Sequence, residues 1–173
     1  MSKRKPRDVP SRDDYYMGLA FWIASKSKDP DTQVGGLIVS AANRPLGWGY
    51  NGPPQQIRDE DIDWSRPEKY DWVEHAEENA IDHSRGMDLT GSTLYVIASP
   101  CKNCMRKIVK AGIRRVVYFP IKPSEGSSIN QTQISKSEEI AHAGHVQLER
   151  FKGNLNWMRD RMKWMESVGV FNV

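Results

Sequence analysis

A layered α/β fold, with a mixed sheet flanked by helices, is the architecture this sequence predicts, and three observations predict it. A helical stretch opens the chain and leads into two short apolar runs joined by a turn. Strand-like and helix-like segments then alternate, which favours helices layered on a sheet. No internal repeat or obvious linker interrupts the order, so residues 1–173 are read as one domain, with 1–11 as a flexible basic tail.

The elements follow in order. Ser11 followed by Asp14 is a helix N-cap signal, and Met17, Ala20, Phe21 and Ala24 recur at helical spacing, predicting a helix to about Ser27. Lys28 to Asp31 turns, Gly36 to Ser40 reads as a buried strand, and Asn43 to Pro45 turns into a second strand ending at Tyr50. From Asn51 to about Lys69 no period is sustained, which predicts a long loop of the kind that serves function. A helix is expected over Glu74 to Ser84, a strand over Thr93 to Ala98, and a helix from Cys101 to Ala111 closed by Gly112. Val116 to Phe119 reads as a strand, Lys122 to Thr132 as a polar turn-rich stretch, Ser135 to Ala143 as a helix and Val146 to Phe151 as a last strand. Leu155, Met158, Met162 and Met165 then mark an amphipathic helix, with Trp157 and Trp164 beside them. Its apolar face suits its own domain or an oligomer contact equally.

Composition narrows the function classes. Apolar residues at 38% and charged residues at 27% suit a globular protein rather than a disordered one. No apolar run is long enough to span a bilayer and the N-terminus lacks a secretory pattern, so a membrane role is not expected and a cytoplasmic, intracellular location is. A net charge of +3 is too small to mark a nucleic-acid binder, although Lys3, Arg4, Lys5 and Arg7 crowd one short arm. The two cysteines, Cys101 and Cys104, exclude a disulfide framework and leave metal ligation, redox chemistry or two buried thiols.

The chemistry sits in two short motifs. His75-Ala76-Glu77 lies near the start of one expected helix, and Pro100-Cys101-Lys102-Asn103-Cys104 opens the next. Cysteines three apart share a helix face, and the positive helix start favours their thiolates. With one histidine they give three zinc ligands and an open fourth position, the pattern of a catalytic zinc ion that activates water. Glu77, two residues after His75, need not ligate and can carry a proton beside the metal. The pairing of H-x-E with P-C-x-x-C is the signature of zinc deaminases. His83, His142 and His145 have no companion at ligand spacing and are read as ordinary histidines.

Further segments sharpen the comparison. Ser27-Lys28-Asp29-Pro30, Gln33-Val34-Gly35 and Gly49-Tyr50-Asn51-Gly52 precede the two zinc motifs in the order found in the deoxycytidylate (dCMP) deaminase family, which the chain resembles from Tyr15 to Phe119. The resemblance implies a cytidine-deaminase-like three-layer fold whose central five-stranded mixed sheet is flanked by helices. It implies that His75, Cys101 and Cys104 hold Zn2+ and that Glu77 shuttles a proton while water replaces the amino group at C4, releasing ammonia. It also implies substrate contacts from Asn51 to the sugar, from the Ala76 backbone N–H to the base carbonyl, and from the Ser99 carbonyl to the amino group.

By the same resemblance the substrate is a deoxycytidine nucleotide, converted from dCMP to dUMP as a thymidylate precursor. Family members are often homohexamers, activated by dCTP with Mg2+ and inhibited by dTTP at a site near Gly49, Tyr50, Asn51 and Gly52, so a homo-oligomer is expected. The sequence departs there: Pro53-Pro54-Gln55-Gln56 stands where the family commonly carries Met-Pro and a further glycine, which puts inherited regulation in question. Lys28, Arg58, Arg66 and Lys102 are cationic candidates for the phosphate, among which sequence does not choose. Alternatives remain open at this stage: a deaminase of dCTP or of a base in RNA or DNA, a noncatalytic zinc-stabilised interaction module, and a Cys101–Cys104 redox protein.

Overall fold

A computed structural model describes residues 5–121 and 131–171 of the chain. Its elements are α1 (Arg12–Ala24), β1 (Gly35–Val39), β2 (Pro45–Tyr50), α2 (Ala76–His83), β3 (Thr93–Ile97), α3 (Lys102–Lys110), β4 (Arg115–Phe119), α4 (Gln131–Ala143), β5 (Gln147–Arg150) and α5 (Asn156–Ser167). The five strands form one sheet in the order β2-β1-β3-β4-β5. β1 runs antiparallel to both β2 and β3, whereas β3, β4 and β5 are parallel, so the sheet is mixed.

Alternation along the central strands builds a core on each face. Ile38, Leu94, Val96 and Val116 point to one side, where they meet Ala80 of α2, Met105 and Ile108 of α3 and Ala141 of α4. Leu37, Val39, Tyr95, Ile97 and Val117 point to the other, where Tyr16, Met17, Ala20 and Ala24 of α1 cover them. β1 is buried throughout because strands flank it on both edges and helices cover both faces. The result is the three-layer arrangement expected from the sequence.

Element bounds shift by a few residues for local reasons. α1 stops at Ala24 instead of reaching Ser27: the Ser25 hydroxyl donates to the Trp22 carbonyl, and the Ser27 hydroxyl is drawn across to the Asn51 carbonyl at 2.8 Å. Its start is the anticipated cap, with Ser11 Oγ accepting from the Asp14 amide at 3.1 Å. The long loop after Tyr50 carries two short 3-10 turns, Asp59–Asp61 and Glu68–Asp71. α3 ends at the expected Gly112, whose φ of +80° is the left-handed closure that glycine supplies. α4 begins at Gln131 rather than Ser135, and most of the turn-rich stretch before it lies outside the described residues.

α2 lies close against β2, and glycine permits it. A Cβ on Gly49 would stand 2.3 Å from the Ala80 amide nitrogen and 2.7 Å from the Ala76 carbonyl oxygen. Asn79 adds a tie, its amide donating to the Tyr50 carbonyl at 2.9 Å. The opposite layer is fastened by ion pairs: Arg115 of β4 grips Asp13 of α1 through two bonds, at 2.9 and 2.7 Å, and also holds Glu149 of β5. The Tyr95 hydroxyl donates to the same Asp13 carboxylate at 2.7 Å.

α5 forms as the 3-4-3 spacing predicted, and its first half contacts α1. Trp157 packs on Tyr15 of α1 and donates to the Asp14 carbonyl. Met162 and Trp164 are exposed. No helix among the described residues is long and apolar enough to cross a membrane.

Two outcomes follow from this packing. Gly49→Ala should destabilise the protein by about 1–3 kcal/mol or more, because the collision is with backbone that cannot swing aside; denaturant unfolding measures it. The Arg115 hydrogen bond holds the Asp13 carboxyl below the usual carboxylate range, against the opposing effect of burial. The stability this contributes is therefore present above the unfolded-state pKa of about 4 and lost as pH falls through the lower folded value. Asp13→Asn should be less stable than wild type above about pH 5, and the two unfolding midpoints should converge in strong acid.

Candidate metal centre and active site

Two helix starts meet beyond the end of β3. His75 is the N-cap of α2 and Cys101 the N-cap of α3, with Cys104 in the first turn of α3. His75 Nδ1 stands 3.2 Å from Cys104 Sγ and 3.7 Å from Cys101 Sγ. A tetrahedral zinc ion with bonds of about 2.3 Å to sulfur and 2.0 Å to nitrogen puts those atoms about 3.5 Å apart, so the donor set fits the ion. His75, Cys101 and Cys104 are the cluster of three metal-ligating side chains found among the described residues. His83 instead contacts the Trp48 carbonyl, and His142 and His145 are exposed.

The electrostatics suit a cation. A hydrogen bond from the Cys104 thiol, with His75 beside it, holds Cys101 down to about 4 against burial. The Cys101 hydrogen bond raises His75 to about 9. Cys104, bonded to Cys101 and buried, is pushed well above the ordinary thiol range. One proton is thus held between sulfurs that a dication would displace it from. The amide of Cys104 also points at Cys101 Sγ, as a helix start does toward an anion.

Glu77, two residues after His75 and the second residue of α2, is 5% exposed. Burial pushes its carboxyl up to about 7, partly opposed by His75. The neighbouring Glu78 does different work: its carboxylate accepts from the His75 amide at 2.9 Å and pairs with Lys107 of α3 at 2.8 Å. Against the upward push of burial, the Lys107 hydrogen bond holds Glu78 below its ordinary range. Glu78 therefore both caps α2 and ties it to α3, a role the sequence reading missed; its signal was the acidic residue three positions after the cap.

A cavity opens in front of this cluster. His75, Ala76, Glu77, Asn51 and Ser99 all line it, so the structure brings together every predicted catalytic and substrate-contact residue, with one zinc ligand at its wall. Asn51 is buried, and its carboxamide is in use: Oδ1 accepts from the Val34 amide at 2.7 Å, and Nδ2 donates to the Thr32 carbonyl at 3.0 Å and to Asp29 at 3.3 Å. Ala98, just before Ser99, has φ of +77°, a left-handed backbone unusual for a side chain with Cβ and typical of functional turns.

The rest of the 49–52 segment faces inward: Gly49 seats α2, and Gly52 bridges Glu74. Of the four phosphate candidates, Arg66 lines the cavity, held by Asp31 at 3.1 Å and by Thr32. Lys28 pairs with Asp59, Arg58 pairs with Asp61 and Glu60, and Lys102 opens α3.

Comparison with known proteins agrees with this geometry. Residues 10–120 match the model of the cytidine and deoxycytidylate deaminase zinc-binding region. The chain belongs to the cytidine and deoxycytidylate deaminase family. Deoxycytidylate deaminase from Homo sapiens is 38% identical over 125 residues, covering 69% of this chain and 70% of that one. A crystal structure of dCMP deaminase from the cyanophage S-TIM5, in complex with dCMP and dUMP, superposes with a TM-score of 0.64 at 24% identity, covering 84% of this chain and all of that one. A structure from work on tRNA:A34 deaminases also shares the fold, with a TM-score of 0.54 at 22% identity. The deaminase fold alone therefore does not select a substrate.

Proposed function

We propose that the protein is a zinc-dependent hydrolase that converts dCMP to dUMP and releases ammonia. The observation that carries this reading is the cluster of His75, Cys101 and Cys104, whose His75 lines one cavity together with the buried Glu77. The 38% identity to deoxycytidylate deaminases supports the nucleotide assignment.

His75, Cys101 and Cys104 would hold zinc, which supplies an electrophile that lowers the pKa of water. The protein's residues do the remaining work. Glu77, raised toward 7, is suited to take a proton from water and give it to the pyrimidine ring, then to the leaving amine. The Ala76 amide at the first turn of α2 would face the base carbonyl, and the Ser99 carbonyl would accept from the amino group of C4. Asn51, which lines the same cavity, would contact the sugar. Glu78 and Lys107 keep the two ligand-bearing helices in register while this happens.

A cytoplasmic location and a homo-oligomer accompany this reading; exposed Trp22, Trp48, Met162 and Trp164 support the second. Regulation by dCTP with Mg2+ and by dTTP rests on the resemblance at Gly49 to Gly52, where the described contacts are with α2 and Glu74.

Ammonia release from dCMP, dCTP, deoxycytidine and a cytosine-containing oligonucleotide tests the proposal. Turnover of dCMP with dUMP as product is expected, and Glu77→Gln should lower kcat about 100- to 10,000-fold while zinc content stays at wild-type level. Preference for dCTP or for the oligonucleotide would reassign the substrate. A Glu77→Gln variant with unchanged turnover would overturn the mechanism.

A further inference from the structure

Lys69 is 2% exposed, unusual for a lysine, and no step of the proposed reaction uses it. Its ammonium lies 2.8 and 3.0 Å from the two oxygens of Asp29, itself buried, and 2.8 Å from Asp31. A buried charge of this kind contributes little net stability over an apolar replacement, so its reason is to be sought in what it holds in place.

What it holds is the cavity wall. Asp29 Oδ1 accepts from the amides of Asp31 and Thr32, and Asp29 Oδ2 accepts from Asn51 Nδ2. Asn51 in turn bonds the Thr32 carbonyl and the Val34 amide. Lys69 therefore fixes one carboxylate that orients the Asn51 carboxamide, and the last link of the long loop is its anchor. The same loop leads four residues later into Val73, then Glu74, which bridges Gly52 beside Asn51, and then the ligand His75. Three chain segments that line the cavity, 29–34, 51–52 and 66–75, are joined through this one ammonium group.

We propose that Lys69 is a positioning residue for the nucleotide's sugar, acting through Asp29 on Asn51; this rests on the reading that Asn51 contacts the sugar of dCMP. Asp29 and Asp31 both pair with Lys69, but only Asp29 also holds Asn51, so the two aspartates differ in function. Asp31 sits at the rim, 44% exposed, where it also pairs with Arg66.

A double-mutant cycle on the zinc-loaded full-length chain tests this, with kcat and KM for dCMP measured well below each variant's unfolding midpoint and zinc content checked. Lys69→Met and Asn51→Ala should each lower kcat/KM at least about tenfold with zinc retained. Because both act on one contact, the double variant should fall within about twofold of Asn51→Ala alone. Losses that multiply in the double variant, or a Lys69→Met enzyme with wild-type kcat/KM, would overturn the proposal while leaving the deaminase reading intact. A wild-type protein inert toward dCMP would instead overturn both.

Should Lys69→Met fail to fold, Asp29→Asn and Asp31→Asn decide the matter. The first should lose at least about tenfold in kcat/KM and the second less than about threefold; equal losses would contradict the assignment.

Discussion

Everything functional in this molecule depends on bringing two helix starts to one point. A helix N-terminus offers unpaired amides and a partial positive charge, and here two of them face a shared set of metal-ligating atoms, the sulfurs of Cys101 and Cys104 with His75 across from them. The sheet makes the meeting possible. β3 lies at its centre and hands the chain through Ala98, Ser99 and Pro100 directly to α3, while α2 is pressed onto β2 and β1 by glycines that leave room for its backbone. Glu78 and Lys107 then hold the two helices to each other across the gap.

This arrangement explains why the site residues fall on short local motifs. His75 and Glu77 are two positions apart because one must face the metal position from the helix cap while the other enters the first turn and the cavity. Cys101 and Cys104 are three apart because cap and first turn share a face. Such constraints are local, so they could be read directly from the sequence, as could the buried strand at Gly36 to Ser40, whereas the split of Leu37 and Ile38 between two cores emerges only in the structure.

Long-range ties were not legible in the same way. Nothing in the spacing of Asp29, Asn51 and Lys69 marks them as partners, since they meet only once the loop after β2 has folded back over the strand. Asn51 reads from sequence either as a turn residue or, through the family resemblance, as a sugar contact; the structure shows a carboxamide locked by three neighbours at the cavity wall. The left-handed backbone at Ala98 was equally hidden, because alanine gives no sign of it. α1 ends three residues early because Ser27 serves the Asn51 carbonyl, again a contact made across the fold.

The central claim is that three protein ligands converge on a metal and leave a fourth position open, with Glu77 beside it. X-ray absorption at the zinc edge of the purified protein tests it most directly. The account predicts one zinc per chain with two sulfur neighbours at about 2.3 Å and two nitrogen or oxygen neighbours at about 2.0–2.1 Å, one of them exchangeable with solvent or inhibitor. A shell closed by four protein ligands, or a protein that binds no zinc when Cys101 and Cys104 are reduced, would contradict it.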